Sequence, residues 1–406
     1  MADERNLGQM TTNMSSRNST FPVDYKEDYP EEYDYGTYDN YDFSKFLFPN
    51  QRPTKPAWEY ALKISLCVII VLVSLIGNSL VIYVVAMNKR MRTTTNYYIV
   101  NLAVADLMVT LCCTWVQCYD DLSPKWPLGS FLCKFNTFAQ VLSMVSSVLT
   151  LTVIACDRFF GIVFAMKAHM TERRASVFIT LVWVVSIAVS SPLLYFRRIT
   201  TREWKDYTEI FCQDHWPFVT SRNEQGMVMA FTPSRVAYYT TVSIILFFLP
   251  VLIMSIAYSL IIMRLRSSRM PGVHLDTEMS VQDKLKKKVV VMLVMILSVF
   301  VICWLPYQVI LVYGEHRTEQ SELPAWYRQL QFYAIYIGYT NSAVNPIIYA
   351  GFNENFQKGF KDSLSCLACF KDKRRYSAIE LRQDSYHSQS LMSHTQVTST
   401  SVMTKV

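Results

Sequence analysis

Seven long apolar stretches constrain this chain more than any other feature of its sequence. A helix needs about 20 mostly apolar residues to cross the bilayer core. Stretches of that kind lie at 60–87, 97–119, 131–163, 175–195, 235–264, 287–313 and 327–351. Hydrophobic residues make up 51% of the chain and charged residues 17%, a balance that disfavours a soluble domain of this length. We therefore predict an all-α membrane protein, a bundle of seven transmembrane helices.

The positions of Lys and Arg predict the orientation of this bundle. Short loops rich in these residues stay on the cytoplasmic side of a membrane. Such residues cluster after spans one, three and five: Lys89, Arg90, Arg92, Lys167, Arg173, Arg174, Arg264, Arg266, Arg269, Lys284, Lys286, Lys287 and Lys288. We therefore predict a multi-pass plasma-membrane protein with an extracellular amino terminus and a cytoplasmic carboxyl terminus. The net charge of +7 then belongs to cytoplasmic loops, and nucleic-acid binding is not predicted.

The amino-terminal segment is polar and acidic. The first 50 residues lack the apolar run of a cleavable signal peptide, so we expect span one to act as the insertion signal. Residues 24–42 alternate tyrosines with acids, and we predict a disordered, glycosylated extracellular tail over 1–57. Asn13 and Asn18 stand in glycosylation tripeptides. Two interpretations remain open: a tyrosine-sulfated arm that attracts a basic ligand, and a solvated leader.

Two cysteines stand clearly outside the membrane in this topology, Cys133 at the start of span three and Cys212 in the loop before span five. In an oxidising compartment we expect them to form a disulfide, and two free thiols are the disfavoured alternative. The first part of the loop 196–234 alternates charged and β-favouring residues, which predicts a β-hairpin. The disulfide would hold this hairpin beside the mouth of the bundle.

The carboxyl-terminal segment follows the seven-helix core predicted for 58–352. Phe352, Phe356, Phe360 and Leu364 follow one another at four-residue spacing, typical of an amphipathic helix lying on membrane lipid, which we predict over 353–366. Cys366 and Cys369 are palmitoylation candidates, with unmodified cysteines as the alternative. Residues 367–406 form a Ser/Thr-rich tail suited to phosphorylation, and its last residue, Val406, is a weak PDZ-binding signal.

Polar residues in the middle of apolar spans are functional candidates, because lipid disfavours them. Asp106 lies in span two, and its candidate partners are Asn78, Ser147, Asn341, Ser342 and Asn345. A carboxylate among hydroxyls and amides can hold a hydrated sodium ion; the alternative is a hydrogen-bonded cluster that only joins the helices. No other cofactor is predicted.

A second group of residues marks places where helices can move. Asp157 and Arg158 are adjacent charges at the predicted cytoplasmic end of span three, with an interfacial Arg as the alternative interpretation. Prolines remove a helical hydrogen bond and bend a helix. The activation-switch candidates are Asp157, Arg158, Tyr258, Trp304, Pro306, Pro346 and Tyr349.

These residues together resemble the rhodopsin-like G-protein-coupled receptors over roughly residues 60–365. The resemblance rests on motifs in the order and spacing of that family: Gly77-Asn78, Leu102 to Asp106, Cys133, Asp157 to Phe159, Trp183, Cys212, Pro250 with Tyr258, Cys303 to Pro306, and Asn345 to Tyr349. Two departures are Phe159 in place of tyrosine and Ala165 in place of proline. The resemblance implies a heterotrimeric G protein that contacts Arg158 and Met166, with an arrestin and a receptor kinase at the tail.

The ligand is best predicted from span three. Gln140 stands where amine receptors of this family carry an aspartate, and with Thr95 to Leu102 and Trp126 to Gly129 it resembles receptors of the neuropeptide FF, neuropeptide Y, orexin and tachykinin group. This resemblance implies an extracellular, amidated, Arg-containing peptide, with Glu315 as an acidic anchor; a solvated loop acid is the alternative. The candidate ligand contacts are Gln117, Gln140, Glu203, Asp206, Glu209, Asp214, Leu311, Glu315 and Ile335.

Three other classes of protein are weaker interpretations. A chemokine-type receptor would share the acidic, tyrosine-rich tail, but it usually carries further cysteines, and none stands in 1–57 or 314–326. A seven-span transporter or channel would be expected to show an internal repeat, which the sequence lacks. An enzyme is not predicted, because no nucleophile–base set or metal-ligand cluster is visible.

Overall fold

The computed structural model describes residues 42–48, 56–164, 172–222, 228–267, 278–317 and 325–363. This part of the chain contains seven helical spans. Span one is Ala57–Met87, span two Thr94–Leu122, span three Gly129–Val163 and span six Glu278–Glu315. Span four is Glu172–Ser190 followed by Pro192–Phe196, and span seven is Ala325–Phe352. Span five consists of Pro233–Ser243, a π-helical turn Ile244–Phe248, and Leu249–Ser267.

Six of these helices, among the described residues, are long and apolar enough to cross a membrane. Span seven falls short in mean hydropathy because Asn341, Ser342 and Asn345 interrupt it. These three side chains are buried in the bundle, so they are shielded from lipid by the other helices. Apolar side chains such as Ile76, Leu252 and Ile302 are exposed on the outside of the helices, as expected for a surface that faces hydrocarbon. The seven-helix bundle predicted from the sequence is confirmed.

Span three lies at the centre of the bundle. Among the six described spans that are long and apolar enough to cross a membrane, span three is the most buried, with 78% of its most apolar part inside the protein. It packs against spans two, four and five, while span seven packs against spans one and six. The hydrophobic core is continuous through the bundle and includes Tyr98, Phe247 and Tyr339. Residues on span three can therefore contact most of the other helices.

Two spans contain π-helical turns that the sequence analysis did not predict. One lies at Thr110–Thr114 in span two and the other at Ile244–Phe248 in span five. A π turn adds one residue to a helical turn and rotates the following residues. In span two the turn therefore reorients the following helical segment, which carries Gln117 and Asp121, relative to Asp106.

The loop between spans four and five forms two antiparallel hairpins. Strand β1 (Arg197–Glu203) pairs with β2 (Thr208–Asp214), and β3 (Val219–Arg222) pairs with β4 (Val228–Phe231). The first hairpin was predicted, and the second was not. The predicted disulfide is also present, since Cys133 and Cys212 are joined by an S–S bond of 2.02 Å. It fixes β2 to the start of span three, and we call this end of the bundle the hairpin end.

A short amino-terminal segment packs on the turn of the first hairpin. Phe43–Lys45 form a 3₁₀ turn, and the Phe43 ring lies 4.8 Å from the Trp204 ring. The Phe48 amide donates to Asp206 at 2.8 Å, and the Lys205 amide donates to the carbonyl of Phe46 at 2.9 Å. The prediction of disorder over 1–57 is therefore wrong for residues 42–48, because aromatic side chains attach them to the hairpin.

The opposite end of the bundle, which we call the Arg158 end, carries the predicted amphipathic helix. Residues 354–363 are helical. Phe356 is completely buried, and its ring lies 5.7 Å from that of Tyr349 and 5.9 Å from that of Phe360. The apolar face of this helix therefore packs on the foot of span seven.

Candidate functional site

Two cavities open at opposite ends of the described bundle. The cavity at the hairpin end has a volume of about 330 Å³, and the cavity at the Arg158 end about 1060 Å³. A layer of buried polar side chains around Asp106 lies in the helices between them. This arrangement can bind one partner at each end and link the two through helix movements.

The hairpin-end cavity contains six of the nine residues predicted as ligand contacts. These are Gln117, Gln140, Asp214, Leu311, Glu315 and Ile335. The other three lie on the hairpin outside the cavity lining. Glu203 is exposed, Asp206 accepts from Phe48, and Glu209 pairs with Arg202 across the strands at 3.4 Å. They lie at or near the turn of the first hairpin and are not among the residues that line the cavity, so their role as ligand contacts stays a prediction.

Two ion pairs form the charged wall of this cavity. Arg197 Nη1 lies 2.9 Å from Asp214 Oδ1, and Arg235 Nη2 lies 2.8 Å from Glu315 Oε1. The Tyr239 hydroxyl donates to Asp214 Oδ2 at 2.7 Å. Burial raises the pKa of Asp214, but Arg197, the Tyr239 hydroxyl and Arg235 lower it by more, so the net pKa is below the usual value. Asp214 is therefore ionised at neutral pH.

Neither arginine of this wall is among the predicted site residues. Arg197 is the first residue of β1, and Arg235 is the third residue of span five, at the end of a long loop. The cross-strand register that opposes Arg197 to Asp214 is a signal that a hairpin prediction could have used, since opposite charges favour such positions. No comparable local signal pairs Arg235 with Glu315, because the two residues are 80 positions apart.

A buried lysine stabilises the other side of the cavity. Lys63 Nζ lies 2.8 Å from Asp121 and 3.0 Å from Glu59. The same ammonium is 3.8 Å from the centre of the Phe332 ring, a favourable cation–π distance. Asp121 and Phe332 line the cavity, so Lys63 supports the wall from behind. Lys63 is not among the predicted site residues, because this lysine lies within the first apolar stretch.

Glutamine side chains reach the base of the cavity. Gln140 accepts a hydrogen bond from the Tyr339 hydroxyl at 3.4 Å. Gln308 accepts from Ser243 at 2.8 Å, and both glutamines are buried. Primary amides can donate and accept hydrogen bonds at the same time. The base of the cavity can therefore bind a polar, uncharged group such as a carboxamide.

The polar layer between the cavities is centred on Asp106. Asn345 donates from Nδ2 to Asp106 Oδ2 at 2.8 Å, and the Ser342 side chain is a second polar neighbour of the carboxylate. Asn78 donates to the carbonyl of Ser342 at 2.9 Å, so it contacts span seven and only indirectly Asp106. Ser147 is buried. The structure thus joins spans one, two and seven through the predicted residues.

Some oxygen atoms of this layer accept no hydrogen bond from the described residues. They are the Oδ1 atoms of Asn78, Asn341 and Asn345. Buried polar atoms are normally satisfied, and carboxamide oxygens are ligands that hard cations prefer. The donor set therefore fits a small hard cation beside Asp106.

Trp304 and Pro306 lie in span six between this layer and the hairpin-end cavity. Trp304 is buried, and an added Cβ at Gly338 of span seven would lie 3.1 Å from its ring. The indole thus rests against the backbone of span seven, and Pro306 stands inside the helix two residues later. Similarly, an added Cβ at Gly77 would lie 2.7 Å from the Pro346 ring. Both prolines therefore stand beside close helix contacts made possible by glycine.

At the Arg158 end, Arg158 Nη2 lies 3.0 Å from Asp157 Oδ2. The same guanidinium also donates to the Thr95 hydroxyl of span two. Tyr258 and Tyr349 are both buried, and the Tyr349 hydroxyl has no hydrogen-bond partner among the described residues. The predicted charge pair is therefore present, and it lines the larger cavity.

Span six and the amphipathic helix are joined by an exposed ion pair at this end. Lys288 Nζ lies 2.5 Å from Glu354 Oε1, and both residues line the larger cavity. The Lys288 hydrogen bond and positive charge hold the pKa of Glu354 below its usual value. The pair was not predicted, because it bridges two elements 66 residues apart.

Several predicted sites lie outside the described residues. They are the glycosylation candidates Asn13 and Asn18, the G-protein contact Met166, the palmitoylation candidates Cys366 and Cys369, and the terminal Val406. The tail 367–406 also lies there. These remain predictions.

Comparisons with known proteins agree with this arrangement. The sequence profile of the seven-transmembrane receptors of the rhodopsin family matches residues 77–349. A QRFP-like peptide receptor of Branchiostoma floridae is 34% identical over 307 residues, covering 74% of this chain and 76% of that protein. The pyroglutamylated RF-amide peptide receptor of Mus musculus is 34% identical over 333 residues (79% and 73%). The substance-P receptor of Rattus norvegicus is 28% identical over 348 residues (84% and 81%).

Proposed function

Because this chain belongs to the rhodopsin family of seven-transmembrane receptors, we propose that it is a plasma-membrane receptor that binds an extracellular peptide and activates a heterotrimeric G protein. The family consists of receptors, which confirms that the chain is not an enzyme. It is a multi-pass membrane protein. The names of its relatives, which include receptors for RF-amide peptides and substance P, favour a peptide over an amine or a chemokine.

The observation that carries the peptide proposal is the chemistry of the hairpin-end cavity. One wall has the carboxylates of Asp214 and Glu315, and the base has Gln140 and Gln308. Carboxylates bind guanidinium groups through charge-assisted hydrogen bonds, and glutamines bind carboxamides. An amidated peptide with an arginine near its carboxyl terminus presents both groups at neighbouring positions. Such a peptide is the ligand that we propose.

The hairpin end faces the extracellular space in this proposal. The basic residues counted in the sequence flank the other end of the bundle, where the positive-inside rule expects cytoplasm. The disulfide between Cys133 and Cys212 lies at the hairpin end, and disulfides persist in oxidising compartments. Both arguments support an extracellular amino terminus and a cytoplasmic carboxyl terminus.

The proposed mechanism is a population shift between two arrangements of the bundle. A ligand that binds the active arrangement more tightly raises its population. In that arrangement span six swings outward about Pro306 and enlarges the cavity at the Arg158 end. Arg158 then leaves Asp157 to contact the G protein, and Tyr258 and Tyr349 stabilise the opened helices. Met166 is a further proposed contact of the G protein.

A sodium ion in the central layer is the proposed regulator of this equilibrium. Asp106, Ser147, Asn341, Ser342 and Asn345 would hold it, and its charge would stabilise the inactive helix arrangement. Asp106→Asn should abolish any rise in the melting temperature of the purified receptor on replacing potassium chloride with sodium chloride. A sodium effect of equal size in Asp106→Asn would contradict this site.

Proposals for the tail remain those made from the sequence. Phosphorylation by a receptor kinase would create negative docking sites for an arrestin, Cys366 and Cys369 would carry palmitate, and Val406 would bind a PDZ domain.

The test of the proposed function is a screen of amidated peptides on cells that express the chain, reading calcium and cyclic AMP. We expect a response to Arg-Phe-amide peptides, and loss of that response in Arg158→Ala with peptide binding at the surface retained. A signal from Arg158→Ala equal to wild type would contradict the coupling mechanism. Response to no peptide, together with response to a chemokine, would favour the small-protein alternative.

A further inference from the structure

The acidic wall of the hairpin-end cavity already holds a guanidinium group from the receptor itself. Arg235 Nη2 is 2.8 Å from Glu315 Oε1, and its Nε is 4.0 Å from Asp214 Oδ2. The Arg235 guanidinium therefore lies between the two carboxylates that would receive an arginine of a ligand. Both acids are predicted ligand contacts, and in the structure Arg235 occupies the position between them.

The members of this cluster differ in their exposure to solvent. The side chains of Glu315 and Asp214 are 7% and 6% exposed, and that of Arg235 is 41% exposed. A buried carboxylate without a cation is strongly disfavoured, whereas a half-exposed arginine can turn into water and keep its hydration. Arg235 is therefore the replaceable member, and the two acids require a cation from some source.

The internal pairing is also incomplete. Arg235 makes one short contact with Glu315, and its Nε has no hydrogen-bond partner among the described residues. An arginine can form two parallel hydrogen bonds with one carboxylate, which is stronger and more specific than a single bond. A ligand guanidinium that approaches from the cavity can adopt this two-bond geometry. Asp214 stays paired with Arg197 whether or not the ligand displaces Arg235, because Arg197 contacts the other carboxylate oxygen, Oδ1, at 2.9 Å.

We propose that Arg235 is a specificity-determining residue that occupies the guanidinium subsite of the unliganded receptor and is displaced by an arginine of the ligand. The inference rests on the proposed function, because the displacing cation belongs to a peptide. Only receptors in which Arg235 has left the subsite can bind the arginine of the ligand. The apparent affinity for the peptide is therefore the intrinsic affinity multiplied by the fraction of receptors with a free subsite. Ligands without a cation leave Arg235 in place, so the subsite discriminates between arginine and neutral residues.

The first test needs no signalling. Purified wild-type receptor and Arg235→Gln are heated with L-argininamide or with L-citrullinamide, which has nearly the same shape and the same α-amino group but a neutral ureido group in place of the guanidinium. We expect argininamide to raise the melting temperature of Arg235→Gln and to affect wild type much less, because ligand stabilisation depends on affinity and Arg235 competes for the subsite in wild type. Citrullinamide should stabilise neither protein.

Two control variants separate this effect from a general loss of positive charge or stability. Arg198→Gln removes an exposed arginine from the neighbouring β1 position and should behave as wild type. The double variant Arg235→Gln with Glu315→Gln removes the cation and one acid together, and its response to argininamide should disappear. An argininamide effect on Arg235→Gln no larger than that on Arg198→Gln would overturn the proposal.

The second test compares the potency of a synthetic heptapeptide ending in Arg-Phe-amide with its citrulline analogue. In Arg235→Gln we expect the potency of the arginine peptide to rise about tenfold, the factor given by one hydrogen bond to a charged group of about 1.4 kcal/mol. A potency loss as large as that of Glu315→Gln would overturn the proposal, since Arg235 would then support ligand binding. Inactivity of both peptides on wild type, with the argininamide result intact, would reject the proposed peptide class and leave the subsite supported.

Discussion

Replacement of Lys63 by Met should destabilise the receptor, because it removes one cation from two partly buried acids. The Lys63 side chain is 7% exposed, while Asp121 and Glu59 are 20% and 25% exposed. An exposed ion pair contributes about 0–1 kcal/mol, and breaking a fully buried pair costs about 3–5 kcal/mol. The intermediate exposure of this cluster places the expected loss at about 2 kcal/mol.

The loss can be measured by thermal unfolding of the purified receptor in detergent. For proteins of 150–250 residues, 1 kcal/mol corresponds to about 2–4 °C, and the shift decreases with chain length, so for this chain of 406 residues we expect a fall of about 2–4 °C. Lys89→Met, at an exposed lysine between spans one and two, should leave the melting temperature within about 1 °C of wild type, since surface substitutions usually change stability little.

A double-mutant cycle identifies the partner. Asp121→Asn alone leaves the Lys63 ammonium with Glu59, and the combination of Lys63→Met with Asp121→Asn removes the unpaired charge that each single variant creates at this contact. We expect the double variant to lose less stability than the sum of the singles, with a coupling of about 1–2 kcal/mol. Strictly additive losses would refute the reasoning, since the 2.8 Å contact would then contribute nothing measurable.

Three further predictions concern the helix contacts. Gly77→Ala should lower the melting temperature, because its Cβ would lie 2.7 Å from the Pro346 ring and crowding of this kind costs about 1–3 kcal/mol; an unchanged melting temperature would show that span seven adjusts freely. Lys288→Glu should raise basal signalling and the added change Glu354→Lys should restore it, because the exchanged charges again attract across the larger cavity; no rescue in the double variant would rule out this pair as a restraint on span six. Cys212→Ser should reduce surface expression and peptide binding, because the hairpin loses its covalent attachment; the converse, normal binding, would show that the first hairpin is positioned without it.

The sequence was sufficient to predict the bundle because membrane burial imposes a simple rule. Every backbone polar group must be satisfied within the membrane, so long apolar stretches form helices irrespective of their partners. Their observed bounds differ from the predicted ones by at most three residues, as at Ala57 and Leu122, except that span six begins nine residues earlier, at Glu278. The disulfide was predictable from the topology, since Cys133 and Cys212 are the two cysteines placed clearly on the extracellular side, where disulfides persist.

The central polar layer was also predictable in its membership. Asp106, Ser342 and Asn345 are costly in lipid and had few possible partners, and the structure brings them together. Asn78 was predicted beside the carboxylate, yet it donates to a backbone carbonyl of span seven. The direction in which a side chain points depends on helix rotation, which the sequence pattern does not specify to the precision that a hydrogen bond requires.

The ligand cavity shows where the tertiary structure decides. The sequence by itself determined the class of fold, the family motifs and the polar residues that membrane burial makes conspicuous, because these depend on local composition and spacing. The pairing of Arg235 with Glu315, the support of Asp121 by Lys63 and the register of the first hairpin depend on contacts between residues 80, 58 and 5–17 positions apart. Charged side chains at the rim of a bundle have many possible partners of opposite sign, and only the packed helices and the disulfide-linked hairpin select among them.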